Sequence, residues 1–256
     1  MNTLHIFGDS FSEPTYILKQ FADSDSRLEY SEKYNNGTPY KTWSELLAEK
    51  LNFQHKNYAS LCGKNFDILG HGNSNSSILY NLNEVVNTFK PNDIVIVGFT
   101  SPLRFPWPVE GFDEFNVLNI YPNTSSTEIL TKTERDVLDF ITINRSREFY
   151  IEELFQEMKS FEMLSEVIGF KLYYWSWSSD IMEYKFDDKL DDRKWIFTQV
   201  LKKHSINYSD LIKSCGGGSI YEETNGEIVD YHMGIDAHKI HSDIFYSYIN
   251  NDISSK

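Results

Sequence analysis

Short unbroken apolar runs alternate along this chain with longer segments whose apolar residues recur every three or four positions. Leu4-His5-Ile6-Phe7, closed by Gly8, predicts a buried strand that leads into a loop. Residues 11–40 are polar and without period, and read as loop. From Thr42 to Leu51 the residues Trp43, Leu46, Leu47 and Leu51 fall on one helical face. A weak second strand ends at Tyr58-Ala59. A helix is expected over Ser76 to Lys90, where Ile78, Leu82, Val85, Val86 and Phe89 form the stripe. After the stop signal Pro91-Asn92, Asp93 to Gly98 is the clearest strand, and its continuous apolar character suits a central parallel strand covered on both faces. A helix over Tyr150 to Ile168, a strand over Phe170 to Trp175, an amphipathic helix over 189–204 and a closing helix over Ile235 to Ile249 complete the pattern.

Strands that alternate with helices in this way predict a mostly parallel sheet with helices on both faces, an α/β fold of three layers. A single domain over residues 1–256 accommodates all of it, with residues 99–146 as an aromatic-rich insertion that leaves the sheet. In such sheets ligands bind at the carboxyl ends of the strands. That rule directs attention to residues 8–12, 59–75, 98–105, 175–180 and the loop before the last helix.

Composition narrows the class of partner. The chain has 256 residues, 40% hydrophobic and 15% aromatic, enough to fill a core. Its formal charge of −14 argues against a nucleic-acid backbone as partner, because phosphate neutralisation needs clustered Lys and Arg. Cys62 and Cys215 are its two cysteines and form no Cys-x-x-Cys pair, so they read as free thiols. The first residues carry neither a basic region nor a long apolar run, and no stretch approaches a membrane span. A cytoplasmic protein without a membrane partner is expected.

The candidate chemistry lies at the two ends. Gly8-Asp9-Ser10-Phe11-Ser12 stands where the first strand ends, so Ser10 is placed at the carboxyl-end crevice. A serine hydroxyl is a weak nucleophile until a base takes its proton and a third group orients that base. Near the other end, Asp230-Tyr231-His232 puts a carboxylate two residues before a histidine, ahead of the closing helix. Each motif alone also fits a turn without chemistry. Together they resemble the first and last blocks of the SGNH (GDSL-type) hydrolases, in chain order and across nearly the whole sequence. The resemblance implies a flavodoxin-like fold and ester hydrolysis through an acyl-enzyme; with no metal-ligand cluster and no Gly-x-x-x-x-Gly-Lys-[Ser/Thr] phosphate loop in the sequence, no cofactor or metal is expected. Ser10 would be the nucleophile, His232 the base and Asp230 its orienting carboxylate.

The family's oxyanion hole combines the nucleophile's N–H, a glycine N–H and an asparagine side chain. Here Gly72, in His71-Gly72-Asn73-Ser74-Asn75, resembles the glycine, with Gly63 as competitor. The family's asparagine follows the third strand, where this chain has Gly98-Phe99-Thr100-Ser101. Asn75 is the leading replacement, with Asn73 and, more weakly, Thr100 as alternatives; Asn73 or Ser74 can equally be a helix N-cap. Asp236-x-His238 is a second pair, able to take the roles of Asp230 and His232 if the turn falls later. His5 reads as structural, and His55, His204 and His241 as surface residues. His71 can line the site. Arg104 is more readily a surface ion-pair partner than an anion contact. Phe99, Phe105, Trp107, Phe112, Phe115, Trp175 and Trp177 are either packing or a sugar-stacking site mouth. The leading expectation is an esterase acting on a small-molecule or glycan ester, with a short acyl group such as acetyl. A catalytically degraded, glycan- or protein-binding relative and an acyltransferase are the alternatives.

Overall fold

A computed structural model describes residues 1–9, 12, 40–59, 74–102, 105–108, 117–120, 131–144, 147–176, 181, 191–196, 223–224, 227–228 and 235–254. Its centre is a parallel sheet of four strands: β1 (Thr3–Phe7), β2 (Gln54–Asn57), β3 (Ile94–Phe99) and β6 (Lys171–Ser176), in the order β2-β1-β3-β6. Every residue of β1 and β3 is buried, as the unbroken apolar runs predict.

The helices α1 (Trp43–Leu51), α2 (Asn75–Val85), α4 (Arg147–Ile168) and α5 (Ile235–Ser254) cover both faces. On one face α5 packs along α1. Trp43 of α1 stacks on Phe245 of α5 at 4.6 Å between ring centroids, and both meet the ring of Trp175 edge-on from below. Lys50 of α1 pairs with Asp243 of α5. On the other face α2 and α4 cover Phe99 and Tyr174, and the Tyr174 hydroxyl donates to the Met158 carbonyl. The expected three-layer, flavodoxin-like α/β/α arrangement is what the chain forms.

Local chemistry sets the ends of these elements. Thr42-Trp43-Ser44-Glu45 begins α1 because the Glu45 carboxylate accepts from the Thr42 N–H at 2.9 Å and occupies an otherwise orphaned donor. Asn52 ends that helix in the left-handed region at φ 55°. Ser74 caps α2 by accepting from the Ser77 N–H, as one of the two residues expected to do so. At the amino end of the sheet, buried Asp93 accepts from the N–H groups of Thr3 and Lys90 and from the His5 ring. Burial lowers the His5 pKa, so the ring is held neutral between Asp93 and Tyr58.

Two segments differ from the sequence reading. The excursion over 99–146 contains an antiparallel ribbon, β4 (Phe105–Pro108) with β5 (Val117–Ile120), followed by α3 (Lys132–Asn144). Of the amphipathic helix expected over 189–204, residues 191–196 are described, and among these only Ile196 is helical. Asp192–Lys194 is one 3₁₀ turn, after which Trp195 pairs with Tyr174 in a parallel bridge. Its indole lies among Tyr174, Phe99 and Phe155, and this packing takes the place of the expected helical pattern up to position 195. A further short ribbon, β7 (Glu223–Thr224) with β8 (Glu227–Ile228), precedes the closing helix. Among the described residues, no helix is long and apolar enough to cross a membrane.

Candidate functional site

The strand order places β2 on one side of β1 and β3 on the other, so the chain reverses its direction of winding between β1 and β3. In a doubly wound sheet that switch point opens a crevice beyond the strands' carboxyl ends. Two segments lead into it, Gly8-Asp9 from β1 and Thr100-Ser101 from β3. Sequence reasoning had named both strand ends, and the topology now makes them neighbours.

The β1 end is tightly braced. The Ser12 N–H donates to the Asp9 carbonyl at 2.8 Å, which ties Ser12 to the residue that follows the Gly8 strand end. The Asn57 carboxamide donates to the Ser12 carbonyl at 2.6 Å and accepts from the Ala59 N–H at 2.9 Å. Ser12 itself is fully buried, and its hydroxyl has no hydrogen-bond partner among the described residues. A Cβ on Gly8 would lie 2.3 Å from that hydroxyl, and one on Gly98 would lie 3.0 Å from it and 2.4 Å from the Trp175 indole nitrogen. Glycine at both strand ends therefore makes room for Ser12 and Trp175.

The β3 end is braced from α2. Asn75, the first residue of that helix, accepts from the Thr100 N–H at 2.8 Å and donates to the Thr100 carbonyl at 3.1 Å. The two amides form a closed pair that fixes the helix start beside the strand end. The Ser176 hydroxyl holds the preceding carbonyl, of Phe99, at 2.8 Å. Asn75, the expected oxyanion donor, thus has one of its two N–H bonds and its carbonyl oxygen engaged with backbone. One N–H remains. With Ser74 as cap, the positive end of the α2 dipole lies at the same side of the sheet.

Several other residues acquire definite places. Asp236 and His238 both lie in the first turn of α5, where residues two apart face different sides. Asp236 is exposed and pairs with Lys239 at 3.2 Å. His238 is buried against Tyr40, and its Nδ1 accepts from the Trp43 N–H, the first donor of α1, at 3.1 Å. The two are not brought together, so the alternative Asp236/His238 catalytic pair is set aside by helix geometry. His241, expected at the surface, is fully buried beside Trp175, and burial pushes its pKa down to about 4. His55, also expected at the surface, is half-buried, with its Nε2 at 3.1 Å from the Ser44 hydroxyl. Phe99 and Trp175 are fully buried packing residues and no site mouth.

Ser10, Gly72, Asp230 and His232 lie outside the described residues. So do Gly63, His71, Asn73, Arg104, Phe112, Phe115, Trp177, His204, Cys62 and Cys215. Among the described residues no cluster of three His, Cys, Asp or Glu is arranged to hold a metal ion. Asn57 and the backbone role of Asn75 escaped sequence reasoning, since nothing local marks a side chain that binds backbone 25 or 45 residues away. Comparisons with protein families, with curated proteins and with solved structures find no match to this chain.

Proposed function

We propose that the chain is a cofactor-free serine hydrolase of the SGNH type, acting on an ester with a short acyl group on a carbohydrate or similarly polar carrier. The observation that carries the reading is the β1/β3 switch point: the Gly8-Asp9 segment that leads to Ser10 leaves β1 there, opposite a Thr100 backbone locked to the start of α2. In the reaction, Ser10 Oγ attacks the ester carbonyl carbon while His232 takes the hydroxyl proton. His232 then gives that proton to the departing alkoxide, leaving an acyl-serine. Water, deprotonated by the same ring, attacks the acyl-serine and releases the carboxylate and the free enzyme. Asp230 orients His232 and balances its charge. The N–H groups of Ser10 and Gly72 and a third donor from the Asn75–Thr100 pair hold the oxyanion, helped by the dipole of α2. With only two cysteines and no Cys-x-x-Cys pair, we assign the activity to the cytoplasm.

A fluorophosphonate that labels Ser10 in wild type and not in Ser10→Ala, together with loss of nitrophenyl acetate turnover in that folded variant, would support the reading. Full turnover in Ser10→Ala would end it. Comparing acetyl with octanoyl esters by kcat/KM tests the acyl class, and a clear preference for the long chain would replace the carbohydrate ester with a lipid. One observation favours a second reading, a non-catalytic binding module: no asparagine follows β3, and Asn75 is largely engaged with backbone. A folded wild type that the probe leaves unlabelled would select it.

A further inference from the structure

We infer that the Thr100 hydroxyl is the third oxyanion donor and that Asn75 is the residue that positions it; this rests on the hydrolase reading above. Thr100 is the first residue beyond β3 and is fully buried. Its backbone has no freedom left to answer a nearby charge, because the N–H and C=O are both bound by Asn75. The peptide before it is held by the Ser176 hydroxyl. A β-branched side chain on a fixed backbone has few rotamers, so the hydroxyl is pre-set. That hydroxyl has no hydrogen-bond partner among the described residues.

A buried hydroxyl without a partner opposes folding, and valine would fill nearly the same shape without that cost. The partner it lacks in the resting protein is supplied if negative charge develops on a substrate oxygen. A donor fixed in advance in a water-poor site is the kind that stabilises such an oxyanion most. Ser12, the other orphaned hydroxyl at this end of the sheet, is placed differently. It fills the gap left by Gly8 and Gly98, and its backbone is held by Asp9 and Asn57. It is accordingly read as packing. Asn75 uses its carboxamide on the Thr100 backbone and so acts through Thr100.

The experiment is steady-state hydrolysis of nitrophenyl acetate by the full chain and by Thr100→Val, Thr100→Ser, Asn75→Ala and Thr100→Val/Asn75→Ala. Thermal melts and fluorophosphonate labelling of wild type accompany it. Thr100→Val is expected to lose about 10²–10³ in kcat with KM nearly unchanged, and to melt at a higher temperature because the orphaned hydroxyl is gone. Thr100→Ser keeps the donor and should retain most of the turnover. Asn75→Ala should lower kcat in the wild-type background and add little to Thr100→Val, since both changes remove one interaction. If wild type is labelled and active but Thr100→Val keeps its kcat, or the losses at Thr100 and Asn75 multiply, the inference is overturned while the hydrolase stands. If Thr100→Val does not fold, equal loss in Thr100→Ser overturns it and retained turnover there supports it. An unlabelled, inactive wild type overturns both.

Discussion

His241 gives the fold a measurable sensitivity to acid. The ring, carried by α5, is fully buried and edge-on to Trp175 of β6 at 6.0 Å, and burial drops its pKa from 6.5 to about 4. In the unfolded chain the same ring takes up a proton near its ordinary value. Between these two values the unfolded state binds more protons than the folded one, so the stabilisation is complete above about 6.5 and is lost as pH falls toward about 4. The displacement corresponds to about 3 kcal/mol, with a steepest slope of about 1.4 kcal/mol per pH unit. His241→Leu replaces the ring with an apolar side chain that has no proton to take up. Urea unfolding of both proteins from about pH 7 to about pH 4.5 should show the free-energy difference moving in favour of the variant by about 2–3 kcal/mol at the acid end. His5 and His55 are also held neutral by burial, but they contribute equally to both proteins and cancel. A difference that stays constant across the range would refute the reasoning.

Gly98→Ala should cost about 1–3 kcal/mol, because its methyl group would meet the buried Trp175 indole at 2.4 and 2.8 Å; an unchanged melting temperature would mean that the indole moves aside freely. His238→Ala strips the acceptor from the Trp43 N–H and should lower stability by about 1–2 kcal/mol, with partial recovery in His238→Asn on thermal melting. Its effect on turnover should be far smaller than that of His232→Ala, which is expected to retain only the ~10³–10⁴ over water supplied by binding and the oxyanion hole. The opposite ranking would remove His232 as base. The acylation rate should rise as pH passes the pKa of the base, and a flat profile from about pH 5 to about pH 8 would count against any histidine in that role.

The strands at the centre of the sheet were readable because they are buried on both faces and therefore written as continuous apolar runs. β2 was faint for the opposite reason: Gln54-His55-Lys56-Asn57 lies at the edge and alternates between exposed and half-buried. The β4–β5 ribbon was invisible because Pro106 and Pro108 sit in a strand of only four residues. At the site, the glycine at each strand end and the helix start at Asn75 were legible as local signals. What the residues do there was not. Asn75 reads as a free polar side chain until its pairing with Thr100, 25 positions on, is known, and His238 caps a helix 195 positions away. His241 was misassigned because a histidine within a polar-looking helix carries no local mark of the tryptophan that covers it.

Gly8 and Gly98 lie side by side as the register of β1 and β3 runs out, and the volume they leave empty belongs to Ser12 and Trp175. Diverging sequences cannot alter these four positions one at a time. A methyl group gained at position 98 demands a smaller ring at 175, and one gained at position 8 demands that Ser12 shrink or withdraw. Each single step passes through an overcrowded intermediate, whereas the paired steps do not. Among descendants of this chain the four positions should therefore trade volume in couples, and a glycine lost at either strand end should be accompanied by a retreat in the residue that once filled its place.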